Sequence, residues 1–152
     1  MATPTIRHYA DGVTSVQRSP VVYTGLRFYQ RSDVLYQLTI HFCDRFLPKF
    51  GDRTVDQMKQ AARSTKQNIA EGSAASSTSR ETEIKLTNVA KASLEELLVD
   101  YEDYLRVNGL CIWSEQHPRY HQMREYAKSD KFRVEYTTLL ERLNAEEYCN
   151  LC

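Results

Sequence analysis

Apolar residues recur every three to four positions along most of this chain, with polar residues between them. That period is the mark of amphipathic helices. Leu35, Leu38, Phe42 and Phe46 form one such face, flanked by Val34, Ile40, Cys43 and Leu47. Ser32-Asp33 is the expected cap at its start, and Pro48 and Gly51 end it. Val55, Met58, Ala62, Thr65 and Ile69 mark a second helix, with Thr54 as its expected N-cap. Ala61, Ala62 and Ala70 are small enough to let a partner helix come close. Gly72 is expected to stop this helix, because glycine takes the left-handed C′ conformation without steric cost.

Positions 73–77 have no apolar period and read as a loop. Thr78-Ser79-Arg80-Glu81 then offers a capping box, threonine at N-cap and glutamate at N3. Ile84, Leu86, Val89, Ala90, Leu94, Leu97, Leu98, Tyr101 and Leu105 carry a third helix, which Asn108-Gly109 should stop. It should run for roughly 28 residues, or about 42 Å. A short loop between the second and third helices predicts an antiparallel hairpin.

Outside this centre the period weakens. Residues 1–24 scatter Pro, Ser, Thr, Asp and Gly and read as a mobile tail, leaving 25–152 as the folded domain. After Leu110-Cys111-Ile112-Trp113, Pro118 fits the first turn of a short helix through Lys128. Phe132 to Leu143 is helical in pattern, and Asn144-Ala145-Glu146-Glu147 caps a further helix that reaches Cys152. The expected architecture is all-α: an antiparallel up-down-up-down four-helix bundle whose fourth helix is short or truncated. A short fourth helix would uncover part of the seam of Leu35, Leu38, Phe42, Leu97 and Tyr101; self-association or a partner helix would then cover it, with residues 131–152 folding back along it as a part of that cover.

Composition narrows the classes. At 152 residues with 41% apolar content, the chain is long enough for one cored domain. No apolar run reaches membrane-spanning length and no secretory h-region follows Met1, so a cytoplasmic protein is expected. The formal net charge of zero is unevenly spread. Residues 1–91 hold 13 Lys/Arg against 8 Asp/Glu, or +5; residues 92–152 hold 7 against 12, or −5. That balance argues against a strongly basic nucleic-acid binder and suits head-to-tail association.

Candidate chemistry is sparse. Lys59, Arg63 and Lys66 share one stripe of the second helix and could contact phosphates of RNA or DNA; three such cations are also common on a solvated flank. Glu71 stands at the unfavourable negative end of a helix dipole and calls for a compensating partner. Cys149-x-x-Cys152 lacks the further ligands a zinc site needs, and reads as two small apolar residues. His117 and His121 have ligand spacing, but Pro118 places His117 at or before the helix start. No phosphate-binding glycine loop, nucleophile elbow or Ser/His/Asp arrangement is present, so no enzyme, cofactor, metal or small-molecule substrate is expected.

Three segments together carry a family resemblance. Ala61-Ala62-Arg63-Ser64, Asn68-Ile69-Ala70-Glu71-Gly72 and Ala90-Lys91-Ala92-Ser93-Leu94-Glu95-Glu96-Leu97 follow in order, and Arg45 to Met58 adds to them. The chain resembles the four-helix bundle family of 23S ribosomal RNA intervening-sequence proteins, which includes the accessory protein of diversity-generating retroelements. It is most similar to the branch with a four-helix-bundle suffix domain, over about Tyr29 to Trp113. The resemblance implies the bundle fold, structural roles for Asn68, Glu71, Gly72 and Ser93, and a homo-oligomer built as a ring of five. It makes the chain a non-enzymatic scaffold or adaptor, with a nucleic-acid accessory role as the alternative. Lys59-Gln60 stands where many members carry paired arginines, which weakens the nucleic-acid role. Ala92-Ser93 stands where many carry glycine-serine, adding a methyl group at a helix contact.

Overall fold

The computed structural model describes residues 6–8, 14–16, 26–48 and 52–152. Its body is helical. Three long helices, α1 (Arg27–Phe46), α2 (Arg53–Ala75) and α3 (Arg80–Val107), precede three short ones, α4 (Tyr120–Lys128), α5 (Asp130–Glu135) and α6 (Ala145–Leu151). A 3-10 turn at Tyr136–Leu139 follows α5. In the segment expected to be a tail, β1 (Ile6–His8) and β2 (Thr14–Val16) pair as an antiparallel hairpin, Ile6 opposite Val16. The rest of that segment, and the expected stop at Gly51, lie outside the described residues.

Helix ends follow local hydrogen bonding, and several differ from the sequence expectation. α1 starts five residues before Ser32, which is buried inside the helix with its hydroxyl on the Tyr29 carbonyl at 2.7 Å. A serine can satisfy itself on a preceding carbonyl in mid-helix as well as at a cap. At α2 the cap is Asp52, whose carboxylate accepts from the Thr54 N–H at 2.8 Å. The α3 cap is Ser79, bonded to the Thr82 N–H at 3.2 Å, one residue beyond the expected Thr78.

Gly72 does not stop α2. It lies within the helix, which runs on to Ala75. The one left-handed glycine among the described residues is Gly109, at φ +65°, where α3 ends as expected. Three hydroxyls take over the stopping role: Ser76, Ser77 and Thr78 donate to the carbonyls of Ser73, Ala74 and Ala75. These are carbonyls that a helix C-terminus leaves without an intrahelical partner. Gly72 is buried against α3, where an added Cβ would sit 3.4 Å from the Leu86 Cβ.

α2 and α3 run antiparallel, with Ser64 bonded to Ser93 and Gly72 packed on Leu86. α1 lies against α2, and both helices turn their buried faces to α3. Val34, Leu38 and Phe42 meet Met58, Ala61, Ala62, Leu97, Tyr101 and Leu105 in one core. Thr39 is buried among them, satisfied by the Leu35 carbonyl at 2.8 Å and the Tyr101 hydroxyl at 2.9 Å. A buried hydroxyl without a partner would be costly, so this pair also fixes how α1 and α3 sit together.

The seam expected to lose its cover keeps it. Leu38, Phe42, Leu97 and Tyr101 are each 3% exposed or less. α6 folds back over them and buries Tyr148, Cys149 and Leu151. The Tyr148 ring packs tilted against Phe42 and edge-on against Phe46 at centroid distances of 5.6 and 5.8 Å. The Asn144–Glu147 capping box starts α6 where the sequence places it. Arg45 of α1 anchors the preceding turn by donating to the carbonyls of Leu140 and Leu143. Trp113 is buried at the same end, its indole N–H on Glu146 at 2.9 Å.

Candidate functional site

The cationic stripe lies on α2 beside an open cleft of about 790 Å³, lined in part by Arg53, Asp56, Lys59, Arg63, Ser93 and Glu96. Its two lysines are engaged. Lys59 donates to Asp44 at 2.8 Å and Lys66 to Asp33 at 2.9 Å. Both acids belong to α1, so the pairs form a two-rung ladder between antiparallel helices. The Asp44 hydrogen bond raises the Lys59 pKa. For Lys66, partial burial opposes the charge but the Asp33 hydrogen bond and charge outweigh it, and its pKa also rises. The Lys66 ammonium also lies 4.6 Å from the centre of the Tyr36 ring. Arg63 is exposed in the cleft, whose lining also includes Asp56 and Glu96.

Asn68 and Ser93 meet through a residue the sequence did not single out as a site, Ser64. The Asn68 amide donates to the Ser64 carbonyl at 2.8 Å and to its hydroxyl at 3.1 Å. Ser93 reaches that hydroxyl from α3 at 3.0 Å. This polar knot joins α2 and α3, and Gly72 gives the same pair a close approach two turns further along. Glu71 is exposed.

The two candidate histidines have separate ring partners. His117 stacks on Trp113 at 4.2 Å, while His121 meets Tyr120 edge-on at 5.2 Å. Cys149 is buried and Cys152 half-buried, and burial raises both thiols, Cys152 to about 12. A thiol held protonated is a poor nucleophile and a poor metal ligand. Among the described residues, no group of three or more His, Cys, Asp or Glu side chains stands where it could hold a metal ion. No helix there is long and apolar enough to cross a membrane.

What the molecule does present is apolar surface on α3. Leu97 is 1% exposed, but its neighbours Leu94 and Leu98 are 43% and 55% exposed. They form one wall of a groove. Val89, Ala92 and Val99 recur at helical spacing on another side, also exposed. By the helical period, positions 92 and 99 lie about 130° around the axis from 94 and 98. The sequence assigned Val89, Leu94, Leu97 and Leu98 to one apolar face, without Ala92 or Val99. The signal that separates them is width: a stripe broader than one contact face must leave part of itself uncovered.

Comparison with protein-family models, with curated proteins and with solved structures returns no match to this chain.

Proposed function

We propose that this chain is a non-enzymatic helical scaffold or adaptor that self-associates. Its plan is that of an up-down-up-down four-helix bundle with the fourth position shared between α4 and α6. The observation that carries the reading is the exposed aliphatic stripe Val89-Ala92-Val99 on the longest helix. Aliphatic residues at recurring positions of one helix face form a seam that a second helix covers favourably. Glu96 falls within the same stripe between Ala92 and Val99, and Asp103 continues it, so this α3 surface is acidic as well as apolar. The opposite charge of the N-terminal and C-terminal portions suits copies that pack side by side. The resemblance to the intervening-sequence protein family supports a ring, with five as its number.

The nucleic-acid alternative rests on Lys59, Arg63 and Lys66. With Lys59 on Asp44 and Lys66 on Asp33, a phosphate would compete with two carboxylates already in place. The scaffold reading is therefore preferred.

Light scattering over a concentration series tests it. A mass that is a multiple of 17.7 kDa supports the reading. A mass of 17.7 kDa at every concentration overturns it.

A further inference from the structure

The groove walled by Leu94 and Leu98 is separate from the Val89-Ala92-Val99 stripe. Its opposite wall is α4, through Met123 and Ala127, and Leu151 and Cys152 of the C-terminal helix form its floor. Two adjoining hollows of about 280 and 610 Å³ make it up, and they share Arg31, Ala127, Lys128, Leu151 and Cys152. α4 is 9 residues long, so this wall extends for about 14 Å, two to three turns of a helix laid beside it.

The rim is charged with one dominant sign. Arg27, Arg31, Arg124, Lys128 and Arg133 line the groove, and all five are exposed. Asp130 is the one acid in its lining. It sits 3.3 Å from Arg27, and Glu125 lies 3.5 Å from Lys128, so two cations are partly balanced. Arg31 donates to a main-chain carbonyl, that of Lys128, and Arg124 to the Tyr120 hydroxyl. Neither contact neutralises charge. The rim thus keeps a positive excess above an apolar floor, on a molecule whose formal net charge is zero.

We propose that this groove is the docking site for an acidic amphipathic helix of a partner protein. Leucine-sized side chains on the helix's apolar face would lie between Leu94, Leu98, Met123 and Ala127. Glutamates or aspartates on its flanks would face Arg31, Arg124, Lys128 and Arg133. Apolar anchors in such a groove supply affinity, while the charged rim selects the partner and its orientation. The inference rests on the adaptor half of the reading above. It is independent of self-association, which uses another side of α3.

The test uses the full chain and fluorescein-labelled synthetic helices of about 14 residues, roughly four turns. One helix carries leucines on one face and glutamates on the flanks; a second has lysines in place of the glutamates. Fluorescence anisotropy should show the glutamate helix binding at least about tenfold more tightly than the lysine helix, with the preference shrinking as salt rises. Leu94→Gln with Leu98→Gln should weaken binding about tenfold or more, as loss of central apolar anchors does. Arg31→Glu with Lys128→Glu should reverse the preference towards the lysine helix. Circular dichroism checks that each variant stays folded. Val89→Glu with Val99→Glu should leave peptide binding unchanged, so that a failure of self-association is read separately. Equal binding of the two helices, or binding indifferent to Leu94 and Leu98, would overturn the proposal. So would binding of oleate without the glutamate helix.

Discussion

The phenol of Tyr148 donates a hydrogen bond of 3.0 Å to the main-chain carbonyl of Leu38, 110 residues earlier in the chain. The ring is fully buried. This bond ties the C-terminal helix to the middle of α1, over the residues a bundle with a short fourth helix would otherwise expose. Tyr148→Ala should therefore cost about 3–5 kcal/mol, the range for emptying a buried aromatic site. Tyr148→Phe keeps the packing and should cost only about 0.5–1.5 kcal/mol. Urea unfolding monitored by circular dichroism measures both. An alanine variant as stable as the parent would mean that α6 does not hold the core closed.

Two glycines should respond in opposite directions. Gly72 is helical, and a Cβ there meets Leu86, Glu83 and Thr87 atoms at 3.4 to 3.6 Å, ordinary contact distances. Gly72→Ala should stabilise the protein by about 0.5–1 kcal/mol through helix propensity. Gly109 has φ +65° with open space around it, so Gly109→Ala pays only the backbone cost, about 1–2 kcal/mol of destabilisation. Thermal melts of the two variants check the pair, and a loss of stability at Gly72→Ala would show that the α2–α3 contact at Leu86 cannot take the added methyl group.

Acid stability carries a contribution from Glu147. Its hydrogen bond from Arg119 lowers its pKa against the opposing effect of burial, and the Asn144 N–H adds to the lowering. A depressed carboxylate stabilises the fold above the ordinary carboxylate range, and that contribution is lost as pH falls through its folded-state value. Glu147→Gln should therefore destabilise the protein at neutral pH, with the difference from the parent shrinking on acidification. Melting temperatures across a pH series measure it, and a difference that grows towards low pH would contradict it.

Asp100 should show the reverse sign. Burial raises its pKa, and Glu96 and Asp103 add like charge. A raised carboxyl favours the folded state below its unfolded pKa, and this advantage disappears as pH rises through the folded value. At neutral pH the ionised group is a burden, and one carboxylate oxygen is buried without a hydrogen-bond partner. Asp100→Asn should raise the melting temperature at neutral pH, with the gain fading as pH falls through the raised folded-state value towards the ordinary carboxylate range. A variant less stable than the parent at neutral pH would contradict this assignment.

Period and capping chemistry made much of this fold legible. The span of α3 and its stop at Asn108-Gly109 follow from the sequence, as does the Asn144–Glu147 box. The N-caps of α2 and α3 did not, because several neighbouring residues could cap equally well. Asp52, Thr54, Thr78 and Ser79 are all good caps, and which of them serves depends on where packing places the first turn. Gly72 misled for a related reason. Glycine marks both a helix stop and a close helix contact, and only the partner helix tells them apart. The surface was hidden more deeply. Leu94, Leu97 and Leu98 are chemically alike, and their division into core and groove wall depends on how far α4 and α6 reach.

The central claim is that α3 carries the surface through which copies associate. Sedimentation velocity of the parent chain and of Val89→Glu with Val99→Glu tests it most directly. Both residues are exposed, so the substitutions should leave the melting temperature of the fold almost unchanged. The parent should sediment as an oligomer and the variant as a folded 17.7 kDa monomer. A variant that sediments with the parent's mass would show that the association surface lies elsewhere and contradict the account.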